Sequence, residues 1–147
     1  MSKRRSNKTV LRQQGNKPDK GPKKRIINFN LSKIIPDQGQ TLDQWNEEDL
    51  LIKLNVRIKQ IGSMSREEVL HQKIIKEYPG KVGFPLDSNF NKPTYLNPDR
   101  WAVMHLTNNS KEVVAGFLKN DVFYVVFLDK EHDFWPTDLQ NRGKTRR

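Results

Sequence analysis

Residues 122 to 128 read Val122-Phe123-Tyr124-Val125-Val126-Phe127-Leu128, a run that is apolar whichever alternate set of side chains is followed. β-branched and aromatic residues in such density specify a strand, and apolarity on both faces specifies one that is covered twice. Working outward, Lys119-Asn120-Asp121 is turn material, and Glu112 to Leu118 before it again carries valines and an aromatic ring. A second turn at Thr107-Asn108-Asn109-Ser110 separates that segment from Trp101 to Leu106. Three strands joined by short polar turns predict a three-stranded antiparallel meander with its last strand central. Beyond it, Asp129-Lys130-Glu131-His132-Asp133-Phe134-Trp135-Pro136 is a polar turn ending in two aromatic rings, with Trp135 placed to fold back as a lid.

Upstream, Ile27, Phe29 and Leu31 alternate with Asn28 and Asn30, the pattern of a first strand. Thr41 and Gln44 form a capping-box pair, and Leu50, Leu54, Ile58 and Ile61 follow at helical spacing beside Trp45 and Leu51. The spacing predicts one helix from Thr41 to Ile61. Gly62-Ser63-Met64 closes it, and a second box, Ser65 with Glu68, opens a helix through Val69, Leu70, Ile74, Ile75 and Tyr78. Pro79-Gly80 stops that helix. Residues 80–100, punctuated by Gly83, Pro85, Pro93 and Pro98, read as a long loop with a short strand near Val82-Gly83-Phe84. The predicted fold is a single α+β domain: an N-terminal strand, a helical hairpin, then the meander, with the hairpin packed on one sheet face.

The 147 residues carry 27 Lys and Arg against 17 Asp and Glu, a net charge of +10. That charge is segregated. Residues 1–25 hold ten Lys/Arg and one acid, for +9, with almost nothing to bury; residues 140–147 add +4. Both segments read as disordered basic tails, because burial there cannot offset the entropy of ordering. The remaining domain, 26–139, is mildly acidic at −3. A polycationic tail gains free energy beside a polyanion by releasing condensed counterions. Lys3, Arg4, Arg5, Lys23, Lys24 and Arg25 at one end and Arg146 and Arg147 at the other are therefore the expected nucleic-acid contacts, with RNA favoured. No run of residues has the length and apolarity of a spanning helix, and Met1-Ser2 lacks the glycine that myristoylation requires. A membrane is not among the expected partners, and the expected location is cytoplasmic.

The order strand, helix, helix, strand, strand, strand, together with the closing FYVVFLDKEHDFWP, resembles the RelE/ParE-like toxin superfamily over residues 26–136. The resemblance implies a small sheet carrying a helical hairpin and, in the ribonuclease members, cleavage of messenger RNA by cations gathered in the sheet concavity. Here the meander offers only Arg100, Lys111, Lys119 and Lys130 for that purpose. Attack by a ribose 2′-hydroxyl needs a proton acceptor, a proton donor and a cation at the phosphate. On that chemistry the candidates are His132 as acid or base, Glu131 or Asp129 as base, and Arg100 and Lys130 as cations, with Trp135 or Tyr124 as a stacking surface.

Each candidate also has a plain structural reading: His132 as a solvated turn residue, His105 as a rim group, His71 on an exposed helix stretch, and Trp135 as core. The three histidines show no ligand spacing, so no metal or other cofactor is expected. The absence of cysteine removes disulfides, thiolate catalysis and cysteine-ligated clusters. No phosphate-loop, dinucleotide or nucleophile-elbow motif occurs. Two function classes remain. One is an RNA-associated protein of the endoribonuclease toxin type. The other is a non-catalytic interaction module of a mobile or phage-type locus, whose core binds a protein while its tails hold nucleic acid.

Overall fold

The computed structural model describes residues 24–78, 83–108 and 110–136. Its elements follow the order β1 (Asn28–Asn30), α1 (Leu42–Glu47), α2 (Leu50–Gly62), α3 (Arg66–His71), β2 (Ile75–Glu77), β3 (Ala102–His105), β4 (Val113–Lys119) and β5 (Val122–Asp129). They build an α+β domain around one five-stranded sheet of order β1-β5-β4-β3-β2. The meander β3-β4-β5 is antiparallel, as its turns predict, and β1 lies parallel to β5 with Phe29 opposite Phe123.

The apolar run in β5 is used in full because the ladder slips. A β-bulge falls between Ala115, paired with Phe127, and Gly116, paired with Val125. The extra residue resets the alternation, so Val125 and Leu128 join the helix-side core while Val126 and Phe127 both pack on the opposite face. Gly116 makes this possible: a Cβ at that position would fall on the Tyr124 carbonyl oxygen.

Two helical expectations are corrected. The stretch from Thr41 to Ile61 is two helices, split where Asp49 takes the left-handed conformation at φ 63°. On an unbroken helix Trp45 and Leu54, nine residues apart, would stand about two and a half turns apart, on opposite sides. The break lets both enter the same core, at 0% and 2% exposure. The helix expected to continue to Tyr78 ends at His71. Lys73 turns left-handed at φ 61°, and Ile75 then pairs with Met104 as part of β2. Both predicted capping boxes are present. Thr41 Oγ1 accepts from the Gln44 N–H at 3.1 Å, Ser65 Oγ accepts from that of Glu68 at 3.1 Å, and each partner side chain accepts in return.

The second sheet face is closed by a layer without regular structure. Phe84 packs edge-on against Trp101 and Phe134, Phe90 stacks on Phe127 at 4.7 Å, and Leu96 is buried beside them. No strand forms at Gly83-Phe84, and Val82 lies outside the described residues. Trp135 does fold back, meeting Tyr78 edge-on at 4.8 Å. Aromatic burial by segments 83–100 and 130–136 is thus what makes β4 and β5 double-sided.

Candidate nucleic-acid interface

The residues after β5 form a tight turn. Asp129 is fully buried; its Oδ1 accepts from the Asp133 N–H and its Oδ2 from the Phe134 N–H, both at 2.8 Å. Burial pushes its carboxyl up from the ordinary value, against the pull of those two backbone bonds. His132 sits in this turn with φ 64° and 2% exposure, its ring centroid 5.2 Å from that of His105. The His105 Nδ1 in turn lies 2.9 Å from the Ser110 carbonyl oxygen.

Its neighbours point away and are engaged. Lys130 Nζ donates to Glu48 Oε2 at 2.6 Å, which raises the lysine further above neutrality. Lys111 Nζ donates to Glu131 Oε1 at 2.8 Å, which lowers the carboxylate. A general acid or base works best with its pKa near the operating pH, and both groups are driven from it. Arg100 is exposed on the approach to β3. Trp135, at 6% exposure, has its ring covered by Tyr78 and by Lys76 Nζ, 5.2 Å from the centroid. Of the four candidates for cleavage chemistry, His132 is buried, Lys130 and Glu131 are each in an ion pair, and Arg100 is exposed.

A different set shares a groove. At the β4–β5 hairpin a groove of about 660 Å³ is lined by Lys33, Tyr95, Asn97, Asp99, Lys119 and Tyr124, among others. Tyr95 is 69% exposed. Tyr124 is half-buried, stacked on Phe117 at 5.1 Å with 25° between the planes, and Lys33 Nζ stands 5.6 Å from its centroid. Tyr124 was the alternative stacking surface in sequence; Tyr95, Lys33 and Lys119 carry no motif, and only folding brings them to it. Of the basic segments, Lys24 and Arg25 are described. Arg25 is tied to the same hairpin, its Nε donating to Asp121 Oδ1 at 2.8 Å. Lys3, Arg4, Arg5, Lys23, Arg146 and Arg147 lie outside the described residues.

Among the described residues no group of three or more His, Asp or Glu is placed to hold a metal ion, and no helix is long and apolar enough to cross a membrane. Comparison with protein-family models, curated proteins and solved structures finds no match to this chain.

Proposed function

We propose that this protein is a cytoplasmic RNA-binding module that takes single-stranded RNA into the groove at the β4–β5 hairpin. The observation that supports it is the pairing of accessible tyrosine rings with lysines in one groove, at the hairpin to which Arg25 is bonded. Bases stack on Tyr95 and Tyr124, since every base has a π-face, while Lys33 and Lys119 meet the phosphates. A base arriving on Tyr124 moves the Lys33 ammonium from the ring to the backbone. The basic segments supply attraction without sequence preference. Binding is favoured over cleavage because Lys130 and Glu131 are committed to ion pairs and His132 is buried.

Fluorescence anisotropy with a labelled single-stranded RNA tests the reading. Tyr95→Ala, on an exposed side chain, is expected to weaken binding by about 1–3 kcal/mol, with duplex RNA binding more weakly than the single strand. Equal affinity of wild type and variant would sink the groove. Degradation of the RNA that is lost in His132→Ala would instead favour the endoribonuclease.

A further inference from the structure

We infer that a second cleft, at the β2 edge of the sheet, is a binding site for a phosphate group, with Arg57 as its fixed ligand. Arg57 stands on the core-facing stripe of α2, three residues after Leu54 and four before Ile61, and is only 4% exposed. Its Nε donates to the His105 carbonyl at 2.9 Å, its Nη1 to Gln60 Oε1 at 2.8 Å and its Nη2 to Asn108 Oδ1 at 3.0 Å. All three acceptors are neutral. Among the described residues Arg57 forms no ion pair, and burial lowers its guanidinium with no carboxylate acting in the opposite sense. Of the five guanidinium N–H groups, one on each Nη keeps donor capacity.

A buried cation is costly unless a counter-charge compensates it. The surroundings supply more positive charge instead. Arg57 opens on a cleft of about 270 Å³ lined also by Lys73, Lys76, His105, Gln72 and Asn108, with no Asp or Glu on its wall. Lys73 is exposed and held by its left-handed backbone at the turn between α3 and β2. Two side-chain amides, of Gln72 and Asn108, add neutral polar groups, while Lys76 borders the cleft with its Nζ over the Trp135 ring. One pre-positioned guanidinium with the exposed Lys73 beside it matches a doubly charged phosphate better than a singly charged carboxylate. The cleft lies on β2 and β3 and the RNA groove on β4 and β5, so this inference stands or falls independently of the proposed function.

The test is an NMR titration of the full-length isotope-labelled protein with inorganic phosphate at constant ionic strength, reading the Arg57 Nε–H, which its bond to His105 holds in place. The signal is expected to move and saturate, with acetate requiring several-fold higher concentration. Lys73→Glu changes only an exposed side chain, and an otherwise unaltered spectrum verifies its fold. It is expected to raise the phosphate dissociation constant about tenfold. An Arg57 signal that does not move, an affinity unaltered by Lys73→Glu, or acetate binding as tightly as phosphate each overturns the assignment.

Discussion

The guanidinium of Arg25 is bound to the carboxylate of Asp121, 96 residues away in sequence, by Nε at 2.8 Å and Nη2 at 2.6 Å to the same oxygen. The Arg25 carbonyl accepts from the Arg66 N–H at 2.7 Å, and Arg66 Nε donates to the Asn120 carbonyl at 2.9 Å. Arg25 is thereby held at the β4–β5 hairpin, where the tyrosine groove lies.

Deleting residues 1–23 removes eight Lys/Arg and one acid while sparing these bonds. RNA binding is expected to weaken, and its dependence on log salt to become shallower by as much as about 5, with thermal unfolding nearly unchanged. Binding measured across a salt series for both proteins decides this. A salt slope identical to wild type would mean that the segment does not reach the RNA.

Gly116→Ala places a methyl group against the Tyr124 carbonyl inside the β-bulge. Neither strand can move without disturbing the core, so the variant is expected to lose about 3 kcal/mol or more. Urea unfolding measures it.

Gln40 serves two donors with one atom: its Oε1 accepts from the Trp45 indole N–H at 3.0 Å and from the Lys130 N–H at 2.7 Å. It thereby ties the strand-to-helix connection to both α1 and the turn after β5. Gln40→Leu strands both donors, Trp45 being fully buried, and is expected to cost about 2–4 kcal/mol. Gln40→Glu retains the acceptor and is expected to cost less; calorimetry on the two variants separates the hydrogen bonds from side-chain volume.

Burial holds Asp129 above its ordinary value of 3.8, so the folded protein binds that proton more tightly than the unfolded chain does. This contribution favours the native state increasingly as pH falls through the raised value, is complete below the ordinary one, and is lost again as pH rises. Asp129→Asn lacks it. The stability of wild type relative to this variant is thus expected to grow between neutral pH and about pH 4, as followed by denaturant unfolding at each pH. A constant difference would show that Asp129 does not titrate differently in the two states.

Local signals were read where their cause is local. The capping boxes at Thr41 and Ser65 need only residues three apart, and the hairpin strands need only alternation between turns. The boundaries at Asp49 and Lys73 were not legible, because neither is a glycine and each turns left-handed inside an otherwise helical pattern. Arg57 did carry a signal. It occupies the apolar stripe between Leu54 and Ile61, where a charge is out of place, but what surrounds its guanidinium comes from β3 and the turn after it.

By itself the sequence determined the α+β class, the antiparallel meander, the double-sided character of β5 and the segregation of positive charge into the chain ends. Those depend on periodicity, turn chemistry and composition, which a one-dimensional string records. The tertiary structure alone decided that β1 lies parallel to β5, that Lys130 and Glu131 are spent in ion pairs, and that Lys33, Tyr95 and Tyr124 share a groove. The same is true of Arg57 and Lys73 in their cleft. Each is a meeting of residues far apart in the chain, set by how the sheet twists and what packs across it, and no local preference encodes such a meeting.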